Sequence, residues 1–195
     1  MSQAERCTLD ALDSQGNGLR LEFARVGPRW THRLLSVEQH AMQELVESVE
    51  GDDTQPFPPS PALQQLDVQP SGDELAVALL LGMAGKNHWS VGVEAYPLDR
   101  RIRFDVACRN QPCSVGLLGS AYRKQVPWEA TATGLRYRSP GGFLYSWSLQ
   151  PLESVVSLVL EDPSPDSVVL RAALDRSTST QRWCYEFRQT EDGRP

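Results

Sequence analysis

Long apolar runs are missing from this sequence of 195 residues. No stretch approaches the run of about 18 apolar residues that is typical of a transmembrane helix, so we expect no segment that spans a membrane. The first ten residues, MSQAERCTLD, are polar and lack the apolar region of a secretory signal peptide. These two absences predict a cytoplasmic protein.

Motifs that carry chemistry are also missing. The sequence has no Gly-x-Ser-x-Gly nucleophile motif, no glycine-rich phosphate loop ahead of a helix and no His-Glu-x-x-His zinc motif. The four cysteines form no Cys-x-x-Cys pair, and the spacing of Cys108 and Cys113 alone is weak evidence for zinc, which needs four converging ligands. We therefore predict no metal and no cofactor, and we expect Cys108 and Cys113 to be reduced neighbours across a turn. An enzyme is the less favoured class.

A strong basic excess is absent as well. The net charge is −6, with 40% hydrophobic and 23% charged residues, as in an ordinary globular domain. Only the middle of the chain is mildly basic, and nucleic-acid-binding domains usually carry a larger excess of lysine and arginine. We therefore do not expect a nucleic-acid partner.

Alternation of apolar residues is what the sequence does contain, most clearly over residues 88–109. Apolar side chains occupy every second position on both sides of a central turn, which predicts two half-buried strands. A four-residue loop pairs Val93 with Phe104 and places Glu94 beside Arg103 on the opposite face. Because a slip of one residue would turn every side chain to the other face, the two alternations together define this register.

The alternation continues on both sides of this hairpin. Upstream, residues 75–83 are predicted as a strand whose odd-numbered side chains join the apolar face, with a three-residue turn that pairs Leu81 with Val91. Downstream, residues 113–117 are predicted as a fourth strand beside residues 102–108. Small residues on the opposite face would let another element or a ligand approach closely. They are Ala76, Ala78, Gly82, Ala84, Ser90, Gly92, Ala107, Ser114, Gly116 and Ser120.

The N-terminal part of the chain is predicted as three strands and one helix. Turn residues divide residues 5–35 into the three strands. Ser36 and Gln39 match a helix capping box, and apolar residues at helical spacing follow them. We therefore predict a helix over about 37–50 that packs on a sheet.

The remaining chain extends the β pattern. Residues 51–72 contain five of the fourteen prolines and are predicted as an extended connection. Hairpins are expected over 128–150 and 155–175, and a last strand over 182–188.

The predicted fold class is mainly β. We expect an antiparallel meander of about twelve strands that forms a two-layer sandwich or a partly open barrel, with the one packed helix. A single domain should cover residues 1–195. It would comprise a β-β-β-α part at 1–50, the proline-rich connection, and the meander at 73–189.

Several side chains are candidates for a binding site. Trp128 starts a strand after a proline and is the tryptophan we expect to be exposed. Basic residues near the same strand ends could hold an anionic ligand or an acidic partner, although a solvated rim is the simpler interpretation. They are Arg123, Lys124, Arg136 and Arg138. His88 begins the central hairpin, and it could do acid–base or metal chemistry with His32 if the two met.

Three functions remain open on this basis. The first is a non-enzymatic cytosolic binding or interaction protein, which holds a small ligand or a protein partner on a sheet face or at basic strand ends. The second is an enzyme with a site at His32 and His88. The third is a structural subunit whose small-residue sheet face is a homo-oligomer interface. A concave cavity lined by polar groups would favour the first two, and a flat exposed apolar patch the third.

Overall fold

Two antiparallel β-sheets, packed face to face as a sandwich, make up the structure. It is a computed structural model and describes residues 5–52, 54–70, 75–109, 118–150, 158–164, 166–172 and 178–191. The strands within these ranges form a seven-stranded and an eight-stranded sheet that do not close into a barrel. The sandwich, the first of the two predicted architectures, is confirmed, and the described residues contain fifteen strands instead of about twelve.

The strands are numbered in chain order. They are β1 (Arg6–Leu12), β2 (Gly18–Val26), β3 (Arg29–Glu38), β4 (Ala41–Ser48), β5 (Gln65–Pro70), β6 (Ala76–Ala84), β7 (Asn87–Tyr96), β8 (Arg101–Arg109), β9 (Leu118–Lys124), β10 (Glu129–Thr131), β11 (Gly134–Arg138), β12 (Phe143–Gln150), β13 (Leu158–Ser164), β14 (Ser167–Ala172) and β15 (Thr180–Glu191). The first sheet has the order β1-β2-β3-β4-β9-β14-β13, and the second has the order β10-β11-β12-β15-β8-β7-β6-β5.

The core lies between the two sheets and is rich in aromatic side chains. Trp89, Trp147 and Trp183 are fully buried there, and Trp89 meets Trp183 edge to face with 6.1 Å between ring centroids. Because side chains alternate along each strand, every buried residue of β7 and β8 has a neighbour on the outer face.

The predicted helix over 37–50 is wrong, and no α-helix occurs in the described residues. β3 and β4 instead form a hairpin in which Glu38 pairs with Ala41. Its two turn residues, Gln39 and His40, both adopt positive φ, at 49° and 71°, as a type I′ turn requires. Neither is the glycine or asparagine that usually marks this turn, so the sequence pattern matched a helix cap better than a hairpin. The N-terminal part therefore has four strands.

The central hairpin of β7 and β8 has the predicted register. Val93 pairs with Phe104, and Glu94 pairs with Arg103. The other edge of β8 is occupied along its length by β15, so β8 has no edge for the predicted strand at 113–117. Those residues, and with them Cys113, lie outside the described residues, whereas Cys108 is a buried free thiol.

The predicted register of β6 is wrong by one residue. The turn has two residues instead of three, so Ala84 pairs with Asn87 and Leu80, not Leu81, pairs with Val91. Gly85 adopts φ 59° at the first turn position, as a type II′ turn requires. The one-residue shift exchanges the two faces of β6.

The predicted small-residue face is therefore not formed as expected. Ala78 and Ala84 point into the core, and Ser120 is buried in the first sheet. The outer face of the second sheet combines the large side chains of β6 with small residues of β7 and β8. The predicted members Ser114 and Gly116 lie outside the described residues.

The proline-rich connection is shorter than predicted because β5 begins at Gln65. Its last part packs on the sandwich: Ala62 and Leu63 are buried, and the Leu63 carbonyl accepts a hydrogen bond from the Trp30 amide at 2.8 Å. The predicted strand at 128–138 is divided into β10 and β11.

Candidate functional site

An open trough of about 590 Å³ lies on the outer face of the second sheet, where β6, β7 and β8 run side by side. We call it the β6–β8 trough. Its lining residues are Gln64, Gln65, Leu81, Gly82, Met83, His88, Trp89, Ser90, Ala107, Arg109 and Thr180.

One wall of the trough is apolar and accessible. Leu81 and Met83 are 52% and 51% exposed, and Leu79 continues the same column of β6 at 45%. The floor beside them consists of small side chains, because Leu81 pairs with Ser90, and Ser90 pairs with Ala107. Large side chains next to small ones produce a groove along the strands instead of a flat surface.

The wall is supported by the segment that precedes β5. The Gln64 side chain donates to the Met83 carbonyl at 2.8 Å and accepts from the Met83 amide at 2.6 Å. These hydrogen bonds extend the pairing of β5 with β6 by one residue before β5 begins. Gly82 is required at this place, because a Cβ there would collide with the carbonyl oxygen of Ala62. The backbone of β6 is thus held firmly beneath Leu81 and Met83.

One end of the trough is rich in hydrogen-bond donors. Met83, His88, Arg109 and Thr180 form one cross-strand row from β6 to β15. Among the described lining residues there is no carboxylate, although the whole chain carries a net charge of −6. The trough is therefore a cationic and apolar site on an acidic protein.

The outer face of the second sheet beyond the trough carries arginine side chains that are paired with carboxylates. Arg103 contacts Glu94 at 3.3 Å, Arg101 contacts Glu186 at 3.1 Å, and Arg182 forms a two-point pair with Asp105. The Arg103 guanidinium also covers the buried Cys184, with Nε 3.1 Å from Sγ. These charges already have partners, whereas no ion pair joins Arg109 to another residue in the described part of the chain.

Of the site residues predicted from the sequence, only His88 lies in the trough. Trp128 is buried, contrary to expectation, and its indole N–H donates to the Leu45 carbonyl at 3.3 Å. Arg123 and Arg136 are exposed but pair with Glu47 at 2.8 Å and Glu129 at 3.2 Å.

The predicted basic group is also divided between the sheets. Arg123 and Lys124 belong to β9 of the first sheet, whereas Arg136 and Arg138 belong to β11 of the second. No described contact joins the two pairs into one site.

His32 and His88 do not meet. His88 is exposed on the outer face, whereas His32 is buried between the sheets, where its Nε2 is 2.8 Å from the Tyr122 hydroxyl. That hydroxyl is 2.6 Å from the hydroxyl of Tyr185 on the opposite sheet. Burial lowers the pKa of His32 to about 4, so the imidazole is neutral near pH 7.

The cavity that His32 lines between the two sheets, together with Phe104 and Tyr185, is too small for a substrate. Its volume is about 10 Å³, which is the size of roughly one water molecule. The interior histidine and tyrosines therefore form a polar link between the two sheets, and the predicted site at His32 and His88 is not formed.

Glu50 lies at the edge of this polar link. Its Oε1 accepts a hydrogen bond from Ser48 Oγ at 2.6 Å, while its Oε2 is buried and has no hydrogen-bond partner among the described residues. Burial raises the pKa of Glu50 to about 7, and Ser48 and Arg29 oppose the shift. An ionised carboxylate here is costly, so this group titrates near neutral pH.

Two other kinds of site are absent from the described residues. No group of three or more histidine, cysteine, aspartate or glutamate side chains is arranged to hold a metal ion. No helix in that part of the chain is long and apolar enough to cross a membrane.

Sequence reasoning missed Leu79, Leu81 and Met83 as surface residues. Every residue of β6 is apolar or glycine, so hydrophobicity does not distinguish its two faces. The available signal was the turn: two-residue loops with glycine first are common in hairpins, and a two-residue loop at Gly85 turns these side chains outward.

No protein-family model matches the chain, and no curated protein matches it.

Proposed function

We propose that this protein is a non-enzymatic binding protein whose β6–β8 trough binds an apolar segment of a partner protein. The observation that carries the proposal is the row of large, half-exposed side chains at Leu79, Leu81 and Met83 beside a floor of small residues. Burial of such side chains on binding is favourable at roughly 25 cal/mol per Å².

The open form of the trough favours a polypeptide segment over a small ligand. A small-molecule site usually buries about 70–90% of its ligand. The trough has its walls on one sheet face, and most of its lining residues are exposed. A segment that belongs to a folded partner needs to bury only one of its faces, which the trough can cover.

The size of the apolar patch favours a segment over a second copy of this chain. Three half-exposed side chains present on the order of 300 Å² of apolar surface, the size of the largest patch on an ordinary monomer. A stable protein–protein interface buries about 800 Å² on each partner. A symmetric dimer would need a larger apolar surface than these residues supply.

A cytoplasmic location is part of this proposal. Cys7, Cys108 and Cys184 are free thiols in the described structure, and unpaired cysteines suit a reducing compartment. Imaging of a fluorescent fusion in the source cells tests this point, and a fusion that accumulates outside the cytoplasm contradicts it.

Selection of random peptides displayed on phage tests the proposed function and does not require the partner to be identified first. Peptides enriched on the wild-type chain are synthesised, and their Kd is measured for the wild type, Leu81→Lys and Leu98→Lys. Leu98 is the matched control, because it is 81% exposed and lies in the turn after β7, away from the trough lining.

We expect Leu81→Lys to raise the Kd about tenfold or more and Leu98→Lys to leave it unchanged. Circular dichroism and urea melts should show that both variants fold as the wild type does. Peptides that bind equally well to Leu81→Lys, or the absence of any enriched peptide, would contradict the proposal. Sedimentation of the wild type as a dimer that Leu81→Lys dissociates would show a second copy as the occupant.

A further inference from the structure

We infer that the partner segment carries a carboxylate two residues from the apolar side chain that contacts Leu81, and that Arg109 binds this carboxylate. The inference deepens the proposed function and rests on it. It concerns the donor-rich end of the β6–β8 trough, which apolar contact alone leaves unexplained.

The charge of the trough is the first observation. Its lining contains Arg109 and His88 but, in the described part of the chain, neither aspartate nor glutamate. The chain as a whole has an acidic excess of six charges. A local field of opposite sign selects partners of complementary charge, and here it selects an anionic group.

The contacts of Arg109 are the second observation. Arg101, Arg103 and Arg182 on the same outer face are each paired with a carboxylate. Arg109 is exposed, and no ion pair joins it to any described residue. Its guanidinium can therefore bind an incoming carboxylate through two parallel hydrogen bonds. Such a pair is stronger than a hydrogen bond between neutral groups.

The neighbours of Arg109 suit the same ligand. His88 and Thr180 flank it in the cross-strand row, and neighbouring strands are about 5 Å apart. An imidazole N–H and a hydroxyl are thus within one strand of the guanidinium on either side. Both can donate to the oxygens of one carboxylate.

The spacing of the two rows sets the spacing in the partner. The donor row contains His88 and Arg109, and the next row contains Leu81, Ser90 and Ala107. The rows are two residues apart along each strand, which is about 7 Å. An extended peptide that follows the trough advances by the same distance in two residues. The pattern is therefore apolar-x-Asp or apolar-x-Glu, in either chain direction.

The displayed-peptide selection provides the probe for this inference. An enriched peptide is compared with its own Glu→Gln or Asp→Asn variant on the wild type, Arg109→Gln and Arg123→Gln. Arg123 is the matched control, since it is an exposed strand arginine on the other sheet.

We expect neutralisation of the peptide acid to raise the Kd on the wild type about tenfold. Arg109→Gln should cause a similar loss, and the neutralised peptide should lose little more on that variant, because the two changes remove the same contact. Arg123→Gln should behave as the wild type. Added salt should weaken binding of the acidic peptide to the wild type but not to Arg109→Gln.

The failure of this inference differs from the failure of the proposed function. If Leu81→Lys still weakens binding, enriched peptides without an acid at that spacing, or with a Kd that Arg109→Gln does not change, would overturn the carboxylate assignment alone. If no peptide depends on Leu81, both are overturned.

Discussion

Leu80 and Leu81 are adjacent in the chain and lie on opposite faces of the second sheet. Leu80 is 1% exposed and packs in the core, whereas Leu81 is 52% exposed and forms the wall of the trough. The inner face gains its stability from close packing between the sheets. The outer face has apolar side chains that the described part of the chain does not cover, and this difference between chemically identical residues is the basis of the proposed binding surface.

The two faces of the sheet also differ in the contacts that their polar side chains make. Between the sheets, His32, Tyr122 and Tyr185 form a buried chain of hydrogen bonds. On the outer face, arginines and carboxylates pair at the surface, where such pairs contribute little to stability. A residue's neighbours in the sequence therefore say less about its role than the face on which it lies.

Alanine substitution at Leu80 and Leu81 should separate the faces most strongly. Leu80→Ala should lower the free energy of unfolding by about 2–5 kcal/mol, because it leaves a cavity in the core. Leu81→Ala should change it by no more than about 0.5 kcal/mol, as for an ordinary surface residue. Urea melts of the two variants measure both values, and equal losses would contradict the register of β6.

Glu50→Gln should change how stability depends on pH. The pKa of Glu50 is about 7 in the folded protein, against an ordinary value of 4.5. The folded state then holds a proton that the unfolded state has released. Its contribution is complete below about pH 4.5 and is lost as the pH rises through 7.

The variant should therefore gain stability over the wild type across this range, by on the order of 3 kcal/mol at about pH 8. The buried His32 has the opposite pH dependence, and its contribution cancels when the two proteins are compared at each pH. The exposed Glu129 supplies the control for the loss of a surface carboxylate, since Glu129→Gln should change the free energy of unfolding by no more than about 0.5 kcal/mol. A flat difference for Glu50→Gln would show that its carboxylate is solvated.

The two glycines on β6 and β7 sharpen the comparison further. Gly82 faces the segment at Ala62, and a Cβ there collides with backbone, whereas a Cβ at Gly92 meets nothing within 4 Å. Gly82→Ala should lower the free energy of unfolding by roughly 1–3 kcal/mol, and Gly92→Ala should leave it within about 0.5 kcal/mol. If thermal melts show that Gly92→Ala is the more destabilising change, the assignment of the inner and outer faces of β6 and β7 is wrong.

The smallest expected effect concerns the β3–β4 turn. His40 has φ 71°, a conformation that costs a residue with a Cβ about 1 kcal/mol. His40→Gly should therefore raise the free energy of unfolding by about that amount, whereas His40→Ala keeps the strain and should have little effect. Denaturant melts that rank alanine above glycine would argue against a type I′ turn.

Sequence patterns predicted the sandwich and the β7–β8 hairpin because two strands with clear alternation had to agree on one register. They did not determine β6, where apolar residues on both faces left the choice to the length of one turn. The Asn87 side chain stabilises that turn by donating to the Pro56 carbonyl, a contact between residues distant in sequence.

The helix prediction failed for a related reason. Val37 and Leu45 are buried in both interpretations, so their burial does not decide between a helix and two strands. The decision is made by the backbone at Gln39, where the Asn17 side chain accepts a hydrogen bond from the amide at 2.9 Å. The position of His88 could be predicted from the sequence because it belongs to the hairpin with a clear register. The proposed role of Arg109 in binding a carboxylate could not be predicted from the sequence, because it depends on where β6 and β15 lie.

The exposure of the β6 side chains to solvent tests the central claim most directly. Relaxation of methyl protons by a soluble gadolinium chelate can be measured for leucine and methionine residues of the free protein. We predict strong relaxation at Leu79, Leu81 and Met83, weak relaxation at Leu80, and protection of Leu81 and Met83 when a selected peptide is added. Leu81 as protected as Leu80 in the free protein would contradict the claim that this face is open for a partner.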